Sequence, residues 1–307
     1  MKKILFLLSI AMLAVGCNPG DTPTGPKEPT SKYKKYAGDT ELKIISFNIR
    51  TKTSEKNPAN NWDNRKAACI ELIRDHKPTI MGVQEAQYRS QWTYLKDQLK
   101  VDGYDGYGVN RNDGTESGNG EVVGIFWDTD VVKKIEVGTF WLSETPDKPS
   151  SSWDMSMYRT ATWGLFEHIP TGKKFFYLNT HLPLANDKLD DPELAKKEGM
   201  KLIANKLKEY EKKCSIYLTG DFNVLATDEP MDAIKDFMRN ARMYAYPTDS
   251  YGTTNNNFTT NASKKTIDHI YYRKDLKAEE YYTIRDPYLG VTYVSDHYPI
   301  YAIVTIK

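Results

Sequence analysis

The stretch that most constrains this chain is Ser215-Ile216-Tyr217-Leu218-Thr219-Gly220-Asp221-Phe222-Asn223, an apolar run that breaks on Thr-Gly and hands over to an acid and an amide. Such a run reads as a buried strand giving way to a tight turn. It delivers Asp221 and Asn223 to the strand's C-terminal end, where α/β sheets tend to place chemistry. Alone, Gly-Asp-Phe-Asn is a weak signal, because Gly, Asp and Asn are ordinary turn formers. It gains weight from the other polar islands at segment ends: Phe47-Asn48, Gln84-Glu85, Asn179-Thr180-His181, Ile267-Asp268 and Ser295-Asp296-His297.

The N-terminus reads as an export signal: Met1-Lys2-Lys3, an apolar run from Ile4 to Val15, then Gly16-Cys17. The run is too short to cross a bilayer as a stable helix. Ala14-Val15-Gly16-Cys17 resembles a bacterial lipoprotein cleavage box, which implies that residues 1–16 are a signal peptide and that Cys17 is the lipidated N-terminus. Residues 17–38, with Pro19, Pro23, Pro26 and Pro29, form a tether with little to build a core from. The expected location is the cell envelope, on its periplasmic or outer-surface face, with a membrane partner reached through the acyl anchor. Residues 39–307 show no internal linker or repeat and read as one domain. Cys69 and Cys214 then remain, in a helix and at a strand entrance, and are expected to be buried thiols.

Removing the signal takes Lys2 and Lys3 from 42 basic residues set against 41 acidic ones, leaving a net charge of about −1. A protein that grips many phosphates of a polyanion is normally basic, so extended duplex DNA is not a favoured partner. No protein partner is readable.

Strands are expected at 42–47, 79–85, 121–127, 131–141, 160–168, 173–179, 266–272 and 298–306, and helices at Trp62 to His76, around Trp92, Leu95 and Leu99, and from Glu193 to Lys212. A further short helix should carry Met231, Ile234 and Phe237, with a Thr/Asn-rich loop over 252–260. The mixture suggests an α/β (α+β) fold of two mainly antiparallel sheets face to face, with helices outside.

Taken in order, these islands resemble the endonuclease/exonuclease/phosphatase superfamily of metal-dependent phosphoesterases, in particular its bacterial secreted lipoprotein subgroup. The subgroup resemblance rests on Gly118-Asn119-Gly120-Glu121, Phe140-Trp141-Leu142-Ser143-Glu144-Thr145-Pro146 and Arg159-Thr160-Ala161-Thr162-Trp163. It implies a four-layered α/β/β/α sandwich and a catalytic domain over 39–307. Glu85 is a hard oxygen ligand suited to Mg²⁺ (or Mn²⁺), with Asn48 and Asp296 completing or supporting that shell. Family roles carry over as follows: His297 pairs with Asp268, Asp221 orients or deprotonates the attacking water, and Asn223 and His181 donate to phosphoryl oxygens. Strand alternation should turn Asp296 and His297 opposite ways.

The resemblance has one departure: Arg50 stands where the nuclease branch often carries a second carboxylate, which favours a one-metal site. Glu121 and Arg159 stand equally as substrate-site residues or as a structural ion pair. Arg111 could reach substrate, although a solvated turn is the favoured reading there. His76, His168 and His269 read as structural. The expected activity is a metal-dependent phosphodiesterase or phosphatase acting on a small, sugar-linked or lipid-linked phosphoester. The alternatives are a secreted nuclease of the same superfamily and a non-catalytic surface binding module.

Overall fold

In the computed structural model, residues 38–186, 190–260 and 264–307 are described, all within the chain unit 34–307. The signal peptide, Cys17 and the tether up to residue 37 lie outside the described residues. No helix among the described residues is long and apolar enough to cross a membrane.

Among the described residues, twelve strands and four α-helices follow in chain order: β1 (Glu41–Asn48), α1 (Trp62–His76), β2 (Ile80–Gln87), α2 (Thr93–Lys100), β3 (Tyr104–Tyr107), β4 (Glu121–Asp128), β5 (Val132–Trp141), β6 (Thr160–His168), β7 (Lys173–His181), α3 (Leu194–Lys208), β8 (Ser215–Asp221), β9 (Met238–Asn240), α4 (Ala241–Tyr244), β10 (Asp268–Arg273), β11 (Ala278–Thr283) and β12 (Ile300–Thr305). They form two six-stranded sheets, ordered β11-β12-β1-β2-β4-β3 and β5-β6-β7-β8-β10-β9. All neighbours are antiparallel except β1 with β2 and β7 with β8. Parallel neighbours need a long crossover, and α1 and α3 supply the two. The expected sandwich of two sheets flanked by helices is what the chain forms.

Alternation along the strands sorts side chains into layers. On β8, Tyr217 joins the apolar layer that also holds Leu42, Ile44, Ile80, Ile125 and Trp127. Its neighbours Ile216 and Leu218 instead pack with Met200, Ile203 and Leu207 of α3. The same period on β7 sends Phe175 and Tyr177 inward, and Phe176 and Leu178 outward. Counting on by twos, Asp221 and His181 fall on the inner side, at the strand ends.

Between the apolar layer and those ends lies a polar network. Gln84 Nε2 donates to Ser46 Oγ (3.1 Å) and Asn179 Oδ1 (2.7 Å), and Asn179 Nδ2 donates to the Val83 and Gly124 carbonyls (3.0 and 2.9 Å). The Asn179 bonds to Gln84, Val83 and Gly124 run between the sheets and fix their spacing, while the Gln84–Ser46 bond ties β2 to β1 within one sheet. A Cβ on Gly82 would lie 2.4 Å from Asn179 Oδ1 and 2.5 Å from Thr219 Oγ1, so the close approach there requires glycine.

Some expected elements differ. The helix expected to reach Lys212 ends at Lys208, and the expected helix around Met231 is a 3₁₀ turn, Glu229–Ala233, opened by Pro230. Strand β11 was not expected: it is an edge strand with a bulge between Ala278 and Glu280, and its Ala-Glu-Glu-Tyr-Tyr-Thr sequence alternates poorly. Cys69 and Cys214 are free, buried thiols, as expected.

Candidate active site

Strand register brings the site together. His181 of β7 lies opposite Asp221 of β8, and Asp221 lies opposite Asp268 of β10. From the other sheet, Asn48 lies opposite Gln84, and Glu85 follows within a break in the β2–β4 register, with a left-handed φ of 63°. Such a bulge re-aims a side chain at a conformational cost, here into the site. Glu85, Glu121, His181, Asp221, Asn223, Asp296 and His297 line one pocket of about 350 Å³, with Arg50, Arg111 and Arg159 in its wall.

Asn48 is the clamp. Its Nδ2 donates to Glu85 Oε1 (2.9 Å) and Asp221 Oδ2 (3.0 Å), while its Oδ1 accepts the Arg50 amide (3.0 Å). Its amide hydrogens therefore hold the two carboxylates, while Oδ1, with one bond accepted from Arg50, keeps a second lone pair. Glu85 Oε2 accepts the Thr51 amide at 3.0 Å. Burial pushes the Glu85 carboxyl up, but His297, these hydrogen bonds and Arg50 together hold it below its ordinary value.

Asp221 Oδ2 lies 3.5 Å from His181 Nε2 and 3.7 Å from His297 Nε2. Burial, then Asp268 and Glu85, push Asp221 up to about 7. The two histidines separate sharply. Burial pulls His181 well below its usual range, reinforced by the Arg159 and Arg111 cations and His297, and its Nδ1 has no hydrogen-bond partner. Burial acts the same way on His297, but the Asp268 and Asp221 carboxylates outweigh it and hold the imidazolium. His297 Nδ1 is 2.8 Å from Asp268 Oδ2, so the expected dyad is present.

Asp296 and His297 precede β12 in a loop, so strand alternation does not separate them and both face the pocket. This corrects the expectation of opposite faces. Asp296 Oδ2 sits 3.5 Å from Arg50 Nη1, which places Arg50 at the edge of the carboxylate cluster. Asn223 occupies a left-handed position (φ 52°); its amide caps Asp221 Oδ1 at 3.1 Å and its Nδ2 donates to Leu182 O at 3.0 Å. One of its two amide hydrogens is thus spent on the scaffold.

The arginines also require a correction. Arg111 is not a solvated turn residue: it is 7 % exposed, and its Nη1 lies 2.7 Å from Glu121 Oε2. Glu121 therefore pairs with Arg111, leaving Arg159, 5 % exposed, with Nη1 buried and without a hydrogen-bond partner. Sequence reasoning missed Asn255, whose Nδ2 is 2.8 Å from His297 Nε2, and Met157, whose sulfur lies 3.3 Å from Arg111 Nη2. The Asn-rich loop gave a signal for the first; nothing local marked the second.

The donors fit a hard divalent cation. One ligand atom from each of Glu85, His181 and Asp221 lies within 4.8 Å of the others. Burial and the Glu85 charge push the Asp296 carboxyl up, a strain between like charges that a bound cation would relieve.

Residues 45–297 match the family described as the Endonuclease/Exonuclease/phosphatase family. Solved structures similar to this chain include an endonuclease/exonuclease/phosphatase from Bacteroides vulgatus (29% identity, TM-score 0.78, covering 87% of this chain and 100% of that one). A family protein from Bacteroides thetaiotaomicron (31%, 0.75, 87% and 98%) and that organism's mannosyl-6-phosphatase (31%, 0.74, 87% and 99%) are comparably similar. Comparison with curated proteins finds none that matches.

Proposed function

The chain belongs to the endonuclease/exonuclease/phosphatase family, and from that premise we propose that it is an exported, membrane-tethered phosphomonoesterase that uses Mg²⁺ or Mn²⁺ to hydrolyse a sugar phosphate. The observation that carries the monoester reading is the buried, unpartnered Arg159 Nη1 beside His181 and the His297 imidazolium. A terminal phosphate is a dianion with three free oxygens, and such a cluster offers it charge and donors that a diester would use less fully. A relative of 31% identity is a mannosyl-6-phosphatase, which supports a sugar as the alcohol. The near-neutral chain and Arg50 weigh against polynucleotide substrates.

In this reading Arg159 Nη1 holds the phosphoryl oxygens, and the His297 imidazolium, its ring fixed by Asp268 and its Nε2 beside Asn255, adds positive charge. Neutral His181 offers Nδ1–H as a further donor. Asp221, buried against the site and facing both histidines, takes a proton from the attacking water as general base. Water oxygen bonds to phosphorus as the ester P–O bond breaks. Glu85 and Asp296 would hold the cation, which supplies neutralisation of charge on the phosphate and leaving oxygen. A non-catalytic module is disfavoured, because Glu85, His181, Asp221, Asp268 and His297 are all present and converge.

The test is hydrolysis of p-nitrophenyl phosphate beside bis(p-nitrophenyl) phosphate by the domain 39–307, with Mg²⁺, Mn²⁺ or chelator, and with His297→Ala. Metal-dependent, His297-dependent preference for the monoester is expected. Diester preference, or turnover that survives both chelator and His297→Ala, would sink the proposal. Export and anchoring are tested by metabolic acyl labelling, which Cys17→Ala should abolish.

A further inference from the structure

A second hollow, of about 420 Å³, adjoins the phosphate pocket and shares Met157, Arg159 and Leu184 with it. Each hollow is within the size range of small-molecule sites, about 300–1,000 Å³. They meet at Arg159, whose buried Nη1 has no hydrogen-bond partner, so a phosphate held by Arg159 has its ester substituent at the entrance to the second hollow.

The wall chemistry limits what that substituent can be. Trp153, Met155 and Leu184 give apolar surface, interleaved with Asp154, Ser156 and Asn186; Arg159 is the only cation among the described residues of the lining. Among the described residues a second phosphate would meet Asp154 and no further positive charge, which disfavours a polyanion. An acyl chain would leave the carboxylate and amide facing hydrocarbon. A half-buried indole beside a carboxylate, a hydroxyl and an amide suits a ring with apolar C–H faces and a hydroxylated edge. The exposed Met157 and Leu184, 47 % and 67 % accessible, sit at the junction as an apolar lip. Trp153 and Asp154 are held in consecutive left-handed conformations (φ 57° and 53°), a costly placement for tryptophan.

We propose, building on the phosphomonoesterase reading, that this hollow binds the next sugar ring of a phosphorylated glycan, so that the substrate is a phosphate on an oligosaccharide rather than on a free hexose. Trp153 covers the ring face, and Asp154 and Asn186 bind its hydroxyls.

The test measures kcat/KM for hexose 6-phosphates against mannosyl-, glucosyl- and galactosyl-linked disaccharides that carry the same 6-phosphate, with octyl phosphate and p-nitrophenyl phosphate as further substrates. At least one disaccharide phosphate should exceed its own hexose phosphate by about tenfold or more. That preference, expressed as a ratio of kcat/KM values, should fall to near one in Trp153→Ala and in Asn186→Ala, each checked for native thermal unfolding. If no disaccharide is preferred, if octyl phosphate surpasses all the sugars, or if the ratio survives both substitutions, the glycan subsite is overturned while phosphatase activity stands. Failure of the wild type to cleave any monoester overturns both readings.

Discussion

Asp221→Asn should stabilise the metal-free protein at alkaline pH while lowering catalysis by about 100-fold or more. The Asp221 carboxyl is 1 % exposed and is pushed from 3.8 to about 7 by burial, then by Asp268 and Glu85. Because the folded value is raised, the carboxyl's contribution to stability is fully present below its unfolded pKa and is lost as pH climbs through about 7. At 1.36 kcal/mol per pH unit, the interval amounts to roughly 4 kcal/mol.

Part of that is offset in the variant. Asp221 accepts from Asn48 through Oδ2 and from the Asn223 amide through Oδ1, and an asparagine has one oxygen for the two, a loss of about 1 kcal/mol. His297 also loses a countercharge but keeps Asp268 at 2.8 Å. The net expectation is a gain of about 1–3 kcal/mol at pH 8 that vanishes or reverses by pH 4.5. Urea denaturation in chelator at four pH values between 4.5 and 8.5 would measure it. A variant no more stable relative to wild type at pH 8 than at pH 4.5 would refute the claim that the site stores unfavourable negative charge.

Arg159→Met removes a buried cation with no hydrogen-bond partner and keeps the volume, so stability should stay within about 1 kcal/mol of wild type while kcat/KM for phosphomonoesters falls about 100-fold or more in a steady-state assay. Glu85→Gln retains the Asn48 contact but removes the hard anionic oxygen; Mg²⁺ titration by calorimetry should show affinity weakened at least tenfold, and wild-type affinity in this variant would remove Glu85 from the metal site. Gly82→Ala drives a methyl against Asn179 and Thr219 and should cost about 1–3 kcal/mol in chemical denaturation; a neutral result would mean that the intersheet network yields easily.

The sequence exposed the parts of this architecture that depend on local period. Asn48, His181 and Asp221 could be assigned to strand ends because each closes an apolar run, and Asp268 because it opens one; alternation then sets the face. What stayed hidden was decided by distant partners. Arg111 sits among turn formers and looks solvated, yet Glu121, ten residues on at the start of β4, draws it inward. Asp296 and His297 look like strand residues because β12 follows, but the loop before it shares a backbone bond from Asn256 to the Asp296 carbonyl at 2.7 Å and turns both into the pocket. The left-handed Glu85 could not be foreseen either, since no local residue pattern in Val83-Gln84-Glu85-Ala86 announces a bulge.

The measurement that bears most directly on the central claim is release of inorganic phosphate from mannose 6-phosphate in Mg²⁺, by the wild-type domain and by Asp221→Asn at matched concentration. The account predicts steady release by the wild type, its loss on chelation, and a fall of about 100-fold or more in the variant, in line with removal of a general base. Equal release by the two proteins, or release indifferent to chelation, would contradict it.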